Sequence, residues 1–168
     1  LNQGGSLDDF QPGLDFFKAL KDAGSLNTID VTDATIDSGQ TGVVFDWSYN
    51  QAAIKERLSK QQNVDWEVLT LPNGEVEQYY NQAVNKDAPH PAAARLWEEY
   101  LYSPDAQNEW MRGGAIPSLL EKMKKDGTVD KDALAKLPEI KKPVTYTSKQ
   151  ADAMTTWLGK NWPKTIGN

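Results

Sequence analysis

The residues best equipped for chemistry stand together at Asp46-Trp47-Ser48-Tyr49. In four positions they offer a carboxylate, a broad aromatic face and two hydroxyls. Such a set can hold a polar or cationic solute by charge, stacking and hydrogen bonds. It follows Gly42-Val43-Val44-Phe45, a β-branched apolar run bounded by Gly, which reads as a short buried strand over 42–45. A helix is expected to start near Ser48 or Asn50. In open α/β folds, ligands bind beyond the carboxyl ends of strands, where a helix N-terminus presents free N–H groups. The same residues also read as plain structure, with Ser48 as a helix cap and Trp47 in the core. The sequence leaves both readings open.

A second set lies on a strand expected over 76–85, after the turn Pro72-Asn73-Gly74. Alternation places Gln78, Tyr80, Gln82 and Val84 on one face. Polar and aromatic residues there mark either a sheet edge or the wall of a site. The candidate ligand contacts are therefore Asp46, Trp47, Ser48, Tyr49, Gln78 and Tyr80. No catalytic residue, metal ligand or cofactor is nominated. Neither common glycine-rich phosphate loop occurs, nor His-Glu-x-x-His, nor Gly-x-Ser-x-Gly. His90 is the only histidine and sits between prolines, where it reads as a helix-start residue. A carboxylate-dependent hydrolase would use Asp46 first, but the sequence names no second acid for it.

The chain has 168 residues, 39% hydrophobic and 25% charged, a globular balance for one ordinary domain. Lys and Arg total 18 against 24 Asp and Glu, so the net charge is −6. That disfavours nucleic acid, whose partners carry clustered positive charge. The absence of Cys excludes disulfides and thiolate chemistry. No apolar run approaches membrane-spanning length, and no signal-peptide pattern stands at Leu1. The start at Leu1 is read as a processed product or fragment. Six Trp and six Tyr are generous for this length and suit either a core or a small-molecule pocket.

These residues need scaffolding, and most of it reads as helix. An amphipathic helix over 8–23 carries Phe10, Leu14, Phe17 and Leu20 on one face, with Ser6 and Asp9 as a capping box and Gly24 as its end. A short turn follows over 34–40. The helix after Ser48 runs to about Ser59, with Ala52, Ile54 and Leu58 inward. Residues 61–63 are a polar break, and 66–71 form a second strand. Pro91 opens a helix to about Tyr102, with Leu96, Trp97, Tyr100 and Leu101 as its apolar stripe. Ser103-Pro104-Asp105 starts the next, which carries Ala106, Trp110 and Met111 and stops at Gly113-Gly114. Short helices follow over 117–125 and, capped by Asp130, over 131–137. Ser148 caps a last helix that Pro163 closes. The expectation is about three strands and six or seven helices: an α/β segment over 1–85 with ligand-facing strand ends, then a mostly helical segment over 86–168.

Two long stretches resemble the bacterial extracellular solute-binding proteins of ABC importers. One is Ala34-Thr35-Ile36-Asp37-Ser38-Gly39-Gln40-Thr41-Gly42-Val43-Val44-Phe45-Asp46-Trp47. The other runs from Ala83-Val84-Asn85-Lys86-Asp87-Ala88-Pro89-His90-Pro91 through Ser103-Pro104-Asp105-Ala106-Gln107 to Gly113-Gly114-Ala115-Ile116-Pro117. Gly4-Gly5-Ser6 and the Pro12-Gly13-Leu14 helix match as well. The resemblance implies a periplasmic-binding-protein-like type II α/β fold, of which this chain is the carboxyl-terminal part: second lobe plus terminal helices. It implies a periplasmic or extracellular bacterial receptor without catalysis. Such a receptor captures a small solute by lobe closure and delivers it to a membrane permease. Its partners would be the solute, the permease and an N-terminal lobe of the same protein. Related groups take polyamines, ferric iron, aminoethylphosphonate, thiamine and sugars. Ferric binders carry an adjacent Tyr pair near Asp46. Here that position is Ser48-Tyr49, and the pair Tyr79-Tyr80 points to opposite strand faces, which argues against iron. Polyamine binders carry Trp-x-Asp where this chain has Gln78 and Tyr80, so an amine would rely on Asp46. The alternatives are a carboxylate-dependent hydrolase and a sensor or interaction domain on the same fold.

Overall fold

The computed structural model describes residues 1–60, 64–71, 74–141 and 143–167. Eight helices organise them: α1 Gln11–Asp22, α2 Asp33–Asp37, α3 Ser48–Leu58, α4 Pro91–Leu101, α5 Pro104–Arg112, α6 Leu120–Asp126, α7 Lys131–Leu134 and α8 Ser148–Thr165. They fall into two compact units. One holds Leu1–Val43, Thr70–Gln78 and Ile140–Asn168, and the other Val44–Leu69 and Tyr79–Glu139.

The expected strands are the main correction. Among the described residues no strand forms, and the α/β expectation does not appear as a sheet. One isolated parallel bridge joins Val76 and Val144, closed by Glu77 N–H to the Val144 carbonyl at 3.1 Å and Val144 N–H to the Glu75 carbonyl at 2.9 Å. Residues 42–47, 64–71 and 77–85 run outside helices, but a strand is defined by the ladder its neighbour supplies. β-Branched composition raises the tendency to extend and provides no neighbour. Val43, expected in a buried strand, is 78% exposed, and Leu69, on the second expected strand, is 76% exposed. The turn residues Pro72 and Asn73 and the polar break at 61–63 lie outside the described residues.

In the first unit, α1 and α8 pack through aromatic rings. Phe10 meets Trp157 with centroids 5.8 Å apart, and Phe17 meets Trp162 at 5.3 Å. Leu14, between them on the same face, is buried, as the periodicity predicts. Ser6 caps a turn ahead of α1, accepting from Asp8 and Asp9 N–H. Phe10 is the N-cap, and its side chain makes no capping bond. The cap of α8 is Thr147, one residue before the expected Ser148. Its hydroxyl accepts from Gln150 N–H at 3.3 Å, and the Gln150 side chain accepts from Thr147 N–H at 3.1 Å, a full capping box. The helix does not stop at Pro163 but continues to Thr165. Pro163 forfeits one i→i−4 bond, and beyond it buried Ile166 donates to the Trp162 carbonyl at 2.8 Å, carrying the helical turn on.

In the second unit, α5 sits at the centre and packs on α4 and α7. Ala106 and Met111 are buried on it, while Trp110 faces solvent. Ser103 caps it as expected, accepting from Ala106 N–H at 3.3 Å. The two buried amides after it, Gln107 and Asn108, tie down the surrounding loops. Gln107 donates to the Leu101 carbonyl at 2.7 Å and accepts from Ser118 Oγ and Leu119 N–H, each at 3.3 Å. Asn108 donates to the Thr128 carbonyl and accepts from Asp130 N–H, each at 2.9 Å. Asp130 then caps α7, accepting from Asp132 and Ala133 N–H, and meets Arg112 at 2.9 Å. The stripe of α4 is a further correction. No residue of α4 is buried, and Leu96 is 68% exposed, with Trp97 resting on Tyr100 at 5.5 Å. Amphipathic spacing names the apolar face but does not supply what covers it.

Replacing Gln107 with Ala leaves the Leu101 carbonyl and the Leu119 N–H without the partner they have here. The expected loss is about 1–3 kcal/mol of unfolding free energy, read by urea denaturation.

Candidate functional site

Asp46 stands just before α3, whose N-cap is Trp47 in extended conformation at φ −67°, ψ 137°. Trp47 has no capping side chain, and Asp46 takes over part of that task. Its Oδ1 accepts from Trp47 N–H at 2.7 Å and from Asn50 Nδ2 at 3.1 Å. Its Oδ2 accepts from Gln51 Nε2 at 2.8 Å. Gln51 is buried and in turn accepts at Oε1 from the Trp66 indole N–H at 3.0 Å. The carboxylate is thus held at the surface by three donors, and only one of them lies on Oδ2.

These contacts set its charge. Partial burial is the largest single influence and pushes the Asp46 pKa up. The bonds from Gln51, Trp47 N–H and Asn50 together outweigh it and hold the group below the ordinary aspartate range. At neutral pH the site carries a fixed negative charge.

Tyr49, on the first turn of α3, places its hydroxyl 2.9 Å from that of Tyr80. Thirty-one positions separate the two in the chain. The Tyr80 hydroxyl bond comes first among the causes that raise the Tyr49 pKa, with desolvation, the Tyr80 charge and the Asp46 charge adding to it. Tyr49 is therefore a protonated hydrogen-bonding phenol at neutral pH. Gly114 shapes the wall behind it. It has φ +88°, and a Cβ there would lie 3.2–3.3 Å from Ala52 Cβ and the Tyr49 backbone, so only Gly fits comfortably.

Five of the six candidate residues belong to the second unit: Asp46, Trp47, Ser48, Tyr49 and Tyr80. Trp47 and Tyr80 are exposed, Tyr80 at 84%, while Ser48 and Tyr49 are half-buried. Gln78 is exposed and belongs to the first unit. The shared strand face expected for Gln78 and Tyr80 does not form, because no strand runs through 77–85. Gln51 and Trp66 were missed. Gln is usually a surface residue, and nothing in the spacing signals an indole arriving from fifteen positions away. His90 is the N-cap residue of α4. Among the described residues no three His, Cys, Asp or Glu side chains gather as a metal site.

A model of the family described as bacterial extracellular solute-binding protein matches residues 3–142. The chain belongs to that family. Its role is solute binding in transport, with an extracellular or periplasmic location, a small-molecule ligand and a permease partner as the family has them. Solute-binding proteins of this family are in general not enzymes. No curated protein and no solved structure gives a match. Among the described residues no helix is long and apolar enough to cross a membrane.

Two outcomes are expected in solution. A depressed folded-state pKa makes Asp46 a stabilising group above the unfolded aspartate value, with that stability lost as pH falls through the folded pKa. The stability gap between the parent and Asp46→Ala should therefore be full at neutral pH and vanish in acid, read by denaturation at a series of pH values. Replacing Tyr80 with Phe should return the Tyr49 pKa toward the ordinary tyrosine value, read by ultraviolet titration of the phenols.

Proposed function

We propose that this chain is the carboxyl-terminal part of an ABC importer's receptor and contributes the Asp46 face to a small polar solute. The observation that carries this reading is the exposed set around α3: an ionised carboxylate beside an indole and a phenol pair, in one unit of a solute-binding family member. Asp46 would pair with an ammonium or hydroxyl group of the solute. Trp47 and Tyr80 would stack on it, each contact worth about 0.5–2 kcal/mol. Ser48 and Tyr49 would orient it by hydrogen bonds.

In the complete protein the fold would be periplasmic-binding-protein-like type II, with a further lobe closing over this face. The exposure of Val43 and Leu69, apolar residues outside the helices, supports that reading, since each suits burial against a further part of the protein.

The phenol pair bears on solute class. Tyr49 and Tyr80 meet although they come from different segments, so a tyrosine pair exists after all. As neutral phenols they can donate and accept hydrogen bonds with an amine-bearing or hydroxylated solute.

Native mass spectrometry on the full natural gene product tests this, with polyamines, aminoethylphosphonate, ferric iron, thiamine and small sugars as the panel. The expected result is a one-to-one adduct with an amine or a sugar. Asp46→Ala should then weaken an amine by about tenfold or more, as loss of a charge-assisted contact does, while Glu121→Ala leaves binding unchanged. No adduct, or equal effects of the two substitutions, would remove Asp46 from the site and favour a sensor or interaction role.

A further inference from the structure

The arrangement behind Asp46 has a direction built into it. An indole N–H can only donate, and an ionised carboxylate can only accept. Gln51 lies between one of each, 3.0 Å from Trp66 Nε1 and 2.8 Å from Asp46 Oδ2. The indole thereby fixes the amide oxygen toward itself and turns the amide NH₂ toward the carboxylate. Glu at this position could accept from Trp66 but, ionised, would repel Asp46. Met or Leu would fill space and bond to neither. Gln51 is 7% exposed, so leaving either end of its amide unmet would be costly.

We infer that Gln51 and Trp66 form a positioning relay for the solute-facing carboxylate. Trp66 locks the Gln51 amide, and Gln51 aims Asp46 so that Oδ1 serves the start of α3 while Oδ2 keeps room for a further donor. Oδ1 already takes two donors and Oδ2 one, so an incoming ammonium or hydroxyl meets Oδ2. Neither Gln51 nor Trp66 need touch the solute. The same bonds run in reverse: neutralising Asp46, by a proton or by a bound cation, weakens its pull on the Gln51 NH₂ and is felt at the Trp66 indole. The role toward solute rests on the proposed Asp46 site, whereas the relay itself stands on the three side chains alone.

The test is an NMR pH titration of the full chain, following the Asp46 carboxyl carbon and the assigned Trp66 indole N–H. Tyr49 also feels the Asp46 charge, and it ionises far above this window. The expected result is that the Trp66 indole signal moves with the same midpoint as Asp46. In Gln51→Met the indole should stop responding, and the Asp46 midpoint should rise, with the bonds from Trp47 N–H and Asn50 remaining. Trp66→Phe should raise the midpoint part of the way, and it decides the matter if Gln51→Met fails to fold. An indole that ignores Asp46 in the parent, or a midpoint unchanged in a folded Gln51→Met, overturns the relay.

Putrescine, a small diamine, serves as the binding probe for the second arm. If it binds the parent and is weakened by Asp46→Asn but not by Gln51→Met, the site stands and the relay falls. If it is indifferent to Asp46→Asn while the pH results hold, the relay stands and the solute site falls.

Discussion

Buried side-chain amides hold this structure's loops where they are. Gln51, Gln107 and Asn108 are among the few polar side chains out of solvent, and each bonds at both its oxygen and its nitrogen. An amide with both ends engaged costs little to bury. With one end unmet it would cost more than the bond is worth. The requirement is therefore mutual: the segments at 66, 101, 118–119 and 128–130 are placed by the amides, and the amides are tolerable only because those segments are there. The apolar core is thin by comparison, with Leu58, Ala106, Met111, Met123 and Ala133 in the second unit. Directional bonds fix geometry that so few apolar contacts would leave loose.

The candidate site follows from the same constraint. α3 begins without a side-chain cap on its N-cap residue, so Asp46 bends back to the Trp47 N–H and to the Asn50 and Gln51 side chains. A group recruited to start a helix is thereby kept ionised at the surface, next to an exposed indole. The proposed solute contact would use a lone pair of Oδ2 that these bonds leave open, so it need not compete with the start of the helix. Behind them, Gly114 lets the loop after α5 approach the first turn of α3 closely enough to define a wall.

Much of the helical frame was legible because its signals are local. Pro91 and Pro104 open their helices, Ser103 and Asp130 cap theirs, and Gly127 ends α6 in the left-handed region at φ 71°. The Ser103-Pro104-Asp105-Ala106-Gln107 run that resembles solute-binding proteins belongs to this frame: its serine is a cap and its glutamine a buried tie. The strands were not legible in the same way. A run such as 42–45 states a preference for extension, but a ladder needs a second run in register, and among the described residues only Val76 and Val144 meet. The stripe of α4 failed for the related reason that amphipathic spacing does not name a partner.

The sequence by itself determined most helices to within a few residues, which residue types cluster at Asp46, and the family. Helix ends are set within about four residues of each position, the reach of a cap or a helical turn, and the family by stretches much longer than that. Only the tertiary structure decided that Tyr49 meets Tyr80, that Gln51 turns inward, and that Trp66 fixes its orientation. Hydrogen bonds between side chains fifteen and thirty-one positions apart depend on how the chain returns on itself, and spacing along the chain carries no record of that return.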